Sequence, residues 1–292
     1  VAASQSSPTA LKRWIAGELT KLRERNGYSR ADAAAAIHGS VQGMGHFENA
    51  RRLPKPLELK TLLEFYGVPE RADFFLSLRE RAKKGRDWWI GFDTNNGALP
   101  EYFKLFLGLE AMAARIESWD VQVTPGLFQT RDYAEAIIRD GEPELSDDEV
   151  QRRLELRMAR QQEVLEDGDQ PSVWAVIDEA AVRRVVGGPT VHRDQLDHLL
   201  KLAERPNIDV QVLPFAAGAH TGTEGAFTLL TYPAEFEGDP GTVYAETRVR
   251  GIYYEEPEEV MNYRDVLTRL RVKACDQPDS LALINRIAKE LS

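Results

Sequence analysis

Tyr28-Ser-Arg-Ala-Asp-Ala-Ala-Ala-Ala-Ile-His-Gly-Ser-Val-Gln-Gly-Met-Gly-His-Phe-Glu-Asn-Ala-Arg-Arg-Leu-Pro54 decides the fold of the first part of the chain. Ser29 followed three residues later by Asp32 is a variant capping box, which satisfies two orphan amides at a helix start. Ala33, Ala34 and Ile37 give that helix a face of small apolar residues, so another helix can approach closely. Ser40 opens the next short helix, with Val41 or Met44 and Phe47 turned inward and an end near Ala50. Arg51-Arg52-Leu53-Pro54-Lys55-Pro56 is a basic turn, since proline has no amide to continue a helix.

Helical spacing continues on both sides. Leu11, Ile15, Leu19 and Leu22 share one face over 10–26, and Gly27 supplies a left-handed stop. A fourth helix over 57–66 rests on Leu59, Leu62, Leu63 and Tyr66, and a fifth starts at Pro69 with Phe74, Phe75 and Leu78 inward. Residues 1–80 therefore read as an all-α domain of about five helices. Residues 81–100 read as a junction, with Trp88-Trp89 expected to pack against the second domain and Asp93–Gly97 supplying turn chemistry.

Residues 101–292 read as a larger α+β domain with a small, mainly antiparallel sheet. Helices are expected at 101–118, 129–139, 146–166, 190–204, 257–274 and 279–291. Strands are expected at 172–177, 208–213, 226–232, 242–247 and 249–254, from β-branched residues and period-two alternation.

The chain has 292 residues and a net charge of −10, which speaks against a general polyanion binder. The charge is unevenly spread. Residues 1–87 hold 16 basic and 10 acidic side chains, a net of +6, and 88–292 carry −16. A +6 helical domain can bind DNA by releasing condensed counterions. The single cysteine, Cys275, excludes an intrachain disulfide and a cysteine zinc site. No apolar run is long enough to span a membrane and no signal peptide is visible, so a cytoplasmic location is expected.

Two short helices crossing at a tight turn can place the second in the DNA major groove, while cationic groups at its rim hold phosphates. The stretch from Tyr28 to Pro54 resembles the helix-turn-helix of the phage-repressor-like (XRE) transcriptional regulators. Tyr28-Ser29, Ala34, Ser40, Phe47-Glu48-Asn49 and the basic turn ending in Pro54 carry the likeness. Arg30 stands where that family has Gln, His38 where it has Gly, and Gly43 and Gly45 lie in the recognition helix. The resemblance implies DNA contacts from Ser29, Arg30, Ser40, Val41, Gln42, Gly43, His46, Asn49, Arg51, Arg52 and Lys55. It implies a homodimer on a near-palindromic double-stranded operator.

The second domain shows no catalytic motif and no metal-ligand spacing, so neither enzyme nor cofactor is expected. Arg152, Arg153, Arg157 and Arg160 with Glu155 read as a solvated or salt-bridged helix face. His220, Thr221 and Glu224 lie in a glycine-rich loop, read either as a ligand-binding loop or as a plain hairpin connection. The domain resembles an actinobacterial module of unassigned biochemistry that follows such helix-turn-helix domains. The likeness rests on Pro125–Thr130 with Tyr133-Ala134, Arg157–Gln161, Ile177–Ala180, Val186–Gly188, Gln195-Leu196, Val210–Pro214 with His220, Gly225–Phe227, and Tyr244 with Glu246. It implies an antitoxin-like regulator encoded beside a small partner protein, with control through the second domain by that partner or a small ligand. The alternative reading is an interaction module in which DNA binding is weak or lost.

Overall fold

A computed structural model describes residues 7–92, 99–166, 170–236 and 238–291. The chain divides into two units, Val1–Gly91 and Phe92–Ser292. The division falls inside the expected 81–100 junction and assigns Trp88 and Trp89 to the first unit, where their rings pack edge to face. The Asp93–Gly97 turn lies outside the described residues.

The first unit is helical: α1 Pro8–Arg25, α2 Arg30–Ala36, α3 Val41–Glu48, α4 Pro56–Phe65 and α5 Ala72–Lys84. A 3-10 turn at Pro69–Arg71 precedes α5, and another follows at Trp88–Gly91. Leu11, Ile15, Leu19, Met44, Phe47, Leu59, Leu62, Leu63, Phe75 and Leu78 fill its core. Of the two inward candidates on α3, Met44 is fully buried and Val41 is 53% exposed. Ser7 caps α1, and Asp87 accepts hydrogen bonds from the hydroxyls of Ser7 and Thr9, so the two ends of the unit are tied together.

The second unit runs α6 Glu101–Met112, β1 Arg115–Asp120, α7 Arg131–Gly141, α8 Asp147–Gln161, β2 Ser172–Asp178, α9 Glu179–Arg183, α10 Pro189–Leu202 and β3 Ile208–Leu213. It continues with β4 Phe227–Thr231, β5 Thr242–Glu246, β6 Gly251–Tyr254, α11 Pro257–Lys273 and α12 Gln277–Glu290. The sheet corrects the expectation of a small, mainly antiparallel one. It has six strands in the order β3-β2-β1-β4-β5-β6. β1, β2 and β3 are parallel; β4, β5 and β6 form an antiparallel meander on the other side of β1. The helices between β1 and β3 are the crossovers that parallel neighbours require.

The expected helix 101–118 ends at Met112, and its last residues belong to the sheet's central strand. That strand, Arg-Ile-Glu-Ser-Trp-Asp, lacks an apolar alternation because Glu117 is buried within it. Arg271 on α11 donates to Glu117 at 2.5 Å, and Arg264 and Arg115 lie within 4.0 Å. Three guanidiniums offset the cost of burying this carboxylate. Trp119, Phe227, Leu229, Val243, Leu267 and Leu270 form the apolar core between sheet and α11.

Candidate nucleic-acid interface

Local chemistry sets the geometry of α2 and α3. The Ser29 hydroxyl accepts from the Asp32 amide, and the Asp32 carboxylate accepts from the Ser29 amide, closing the capping box. The turn is made by His38 at φ +50°, with the Gly39 amide donating to the Ala34 carbonyl at 2.8 Å. A non-glycine residue in this left-handed region costs roughly 1 kcal/mol. The Ser40 hydroxyl accepts from the Gly43 amide at 3.0 Å and starts α3. Ala33, Ala34, Met44 and Phe47 are buried, so small residues on α2 face larger ones on α3.

The two helices are locked to α1 by a buried ion cluster. Glu48, with its side chain 1% exposed, accepts from Arg23 Nε and from Arg30 Nε, each at 2.6 Å. Arg23 is itself buried and also donates to the Tyr28 carbonyl at 2.8 Å. Its pKa is raised by the hydrogen bond to Glu48, against the opposing effect of burial. Arg30, expected among the DNA contacts, is thus partly committed to the scaffold, though its side chain stays half exposed.

The outward residues are few. Val41, Gln42, Ser40, Ser29 and Asn49 are exposed, and Gly43 and His46 are half-buried. The Asn49 amide turns back to the Gly45 carbonyl at 2.6 Å, so it serves as a helix stop. Arg51, Arg52 and Lys55 are exposed, and none has an ion-pair partner among the described residues. Their turn is held rigidly: the Arg51 and Arg52 amides donate to the His46 carbonyl, and Arg79 donates to the Pro54 carbonyl at 2.6 Å. The Arg52 guanidinium lies 4.8 Å from the Phe47 ring centroid. The turn thus presents three exposed cations after the end of α3, with the Arg52 guanidinium reaching back beside Gly43.

The glycine-rich loop in the second unit is mostly exposed and is pinned to the core at Gly222. The Trp119 indole donates to the Gly222 carbonyl at 2.9 Å, and a Cβ on Gly222 would lie 2.5 Å from that indole nitrogen. His220 accepts from the Gly222 amide and meets the Trp119 ring edge to face. Thr221 donates to the Val266 carbonyl, and Glu224 is exposed. None of the three lines the large cavity of this unit, which lies elsewhere.

Residues 103–286, more than half of the chain, match the family described as a domain of unknown function, DUF5753. The chain belongs to the DUF5753 family. Residues 14–74 match a helix-turn-helix domain, which covers α2, α3 and the basic turn and supports a DNA-binding regulator. No curated protein and no solved structure matches the chain.

The DUF5753 region contains a cavity of about 740 Å³. Segments that are scattered in sequence meet around it: Gly126 and Gln129, Arg157 and Arg160, Ala226 and Phe227, Tyr244 and Glu246. These are stretches on which the resemblance of the second domain rests. Gln195 stands behind them, accepting from the Thr130 amide and donating to the Phe128 carbonyl. Of the α8 arginines read as a solvated or salt-bridged face, Arg153 pairs with Glu142 and Arg160 with Glu110, while Arg157 has no ion pair among the described residues. Arg152 is exposed, Arg153 is exposed and borders the cavity, and Arg157 and Arg160 stand half-buried in its wall. Arg153, Arg157 and Arg160 stand at i, i+4 and i+7, so helical spacing puts them on one face.

Proposed function

We propose that this protein is a sequence-specific, XRE-type transcriptional regulator whose DUF5753 domain controls its DNA binding. The observation that carries the reading is the fixed turn Arg51–Lys55 after α3, with three cations free of ion pairs among the described residues and Arg52 reaching beside Gly43. The net +6 of the first unit against −16 on the rest supports it, because the acidic unit repels DNA and leaves the basic one to engage it. With only Val41, Gln42 and His46 offered outward from α3, phosphate contacts supply most of the affinity. The protein acts as a homodimer on a near-palindromic operator with half-sites about one DNA turn apart. A small partner protein or a small ligand sets its activity through the second domain.

Genomic footprinting, with fluorescence anisotropy on the recovered site, tests this. The double variant Arg51→Ala, Arg52→Ala is expected to lose most of the affinity and to reduce the slope of log K against log salt by about 1 to 2. Failure to recover any site, or unchanged binding by the double variant, overturns the reading. The bare face at Gly43 and Gly45 favours a second reading, an antitoxin-like interaction module with secondary DNA binding. Co-purification of a neighbouring small protein together with an empty footprint would select it.

A further inference from the structure

The cavity of the DUF5753 domain has the build of a ligand site. Its floor is the end of the sheet where β1 finishes at Asp120 and β4 begins, with Trp119 opposite Phe227 and Thr228 opposite Tyr244. At β1 the sheet changes from parallel to antiparallel neighbours, and the chain leaving β1 turns away and opens a crevice there. At about 740 Å³ the space far exceeds ordinary packing voids and falls in the range of small-molecule sites.

The wall chemistry is specific. Arg160 is spent: Glu110 accepts from its Nε and Nη2 at 2.5 and 2.7 Å, and its guanidinium lies 5.1 Å from the Phe106 ring centroid. Gly126 leaves room for it, since a Cβ there would be 3.2 Å from Arg160 Nη1. Arg153 is spent near the mouth on Glu142. Arg157 is different. Its Nη1 donates at 2.6 Å to the neutral amide oxygen of Gln129, and it forms no ion pair among the described residues. Gln129 is held in turn by donating to the Thr124 carbonyl at 2.8 Å. Burial and the neighbouring Arg160 push the Arg157 pKa down to about 10, and exposed Glu246 offsets this only in part. Asp120 takes a hydrogen bond from the Ser118 hydroxyl at 2.6 Å. Burial raises its pKa to about 7 despite that bond and the charge of Arg160.

We propose that the cavity binds a small organic monocarboxylate, its carboxylate on Arg157 and its apolar body against Phe103, Phe106 and Ile137. Among the described residues the half-buried Arg157 guanidinium lacks a carboxylate, and one ligand carboxylate completes it; the other unpaired arginine of the lining, Arg248, is exposed at the rim. A phosphate dianion facing Asp120 would need a second spare cation in the interior, where Arg160 is already paired and Arg248 is exposed, and a cationic ligand would meet Arg157. Aromatic and aliphatic walls around a few placed polar groups match a ligand of mixed character. The site deepens the proposed control through the second domain, and its occupancy does not itself depend on DNA.

The test uses the purified full chain and four probes, benzoate, 4-phenylbutyrate, indole-3-acetate and octanoate, each beside its uncharged amide. Thermal shift and isothermal calorimetry are expected to show binding of at least one acid and tenfold or weaker binding of its amide. Arg157→Met is expected to weaken the acid by about ten- to a hundredfold, the scale of a lost charge-assisted hydrogen bond. Thr228→Phe, which fills the cavity without touching Arg157, is expected to abolish binding in a folded protein. Absence of binding by all four acids, equal binding of acid and amide, or unchanged binding by both variants overturns the proposal. Adding the bound acid to the protein–DNA complex separates the site from the control it would exert. Unchanged DNA affinity with intact acid binding sinks ligand control and leaves the site standing.

Discussion

Each unit sets arginines against its interior, and it treats their charge differently. In the helix-turn-helix unit, Arg23 and Arg30 both reach the single carboxylate of Glu48, and Arg23 adds Glu24 and a backbone carbonyl. Every partner is present, so the cluster is scaffold and fixes α1, α2 and α3 relative to each other. In the DUF5753 unit Arg160 has its carboxylate, but Arg157 meets a neutral amide and an open cavity. A fully compensated buried charge holds a fold together. A buried charge left facing a void is a place for something to bind.

The strongest way to break this comparison is to remove one partner from each site. Glu48→Gln leaves Arg23 buried with no carboxylate beyond exposed Glu24, and is expected to cost the first unit about 3–5 kcal/mol. Hydrogen exchange in α1 to α3 reads the loss and locates it. Arg157→Met removes a cation that has no ion-pair partner among the described residues, so it is expected to leave the second unit as stable as before or slightly more so. Comparable losses from both substitutions would show Arg157 to be scaffold as well.

A second, smaller effect separates the units by pH. Asp120 has a folded pKa of about 7 against an ordinary value of 3.8, so it holds its proton more tightly in the folded state. Its contribution is complete below about pH 4 and is lost as pH rises to about 7, at up to ~1.4 kcal/mol per pH unit. Asp120→Asn is expected to flatten this slope in the second unit and to leave the first unchanged. Urea midpoints at about pH 5 and about pH 8 measure it, with the variant gaining on the parent at the higher pH. A parallel pH response in parent and variant would contradict it.

Legibility in the sequence depends on how local the causes are. α2 and α3 are legible because caps, helical spacing and Pro54 act within a few residues. The role of Glu48 is not, since its partners lie 18 and 25 positions away and only the folded chain brings them together. β1 is hidden for the same reason: Glu117 reads as a surface residue until Arg271, 154 positions on, is brought beside it. The basic turn is visible in composition. The cavity is not, because Asp120, Arg157, Phe227 and Tyr244 come from four elements and only the mixed sheet brings them to one end. Nor does the composition of the glycine-rich loop reveal that Gly222 packs closely on Trp119.

The smallest expected effect refines the DNA-binding half of the comparison. A Cβ built on Gly45 meets nothing within 4 Å, so alanine fits without strain. Replacing a helix-interior glycine by alanine is expected to stabilise the first unit by about 0.5–1 kcal/mol. At Gly43 the added Cβ would sit 3.2 Å from the Ser40 hydroxyl that caps α3, so the same change gains less there. Packing within the unit gives no reason for a bare backbone at Gly45, whereas a DNA backbone or base edge pressed against α3 does. Gly45→Ala is therefore expected to raise thermal stability while weakening DNA binding on the footprinted site. A gain in stability with unchanged DNA affinity would show that Gly45 faces away from DNA, and would restrict the contacts to the start of α3 and the Arg51–Lys55 turn.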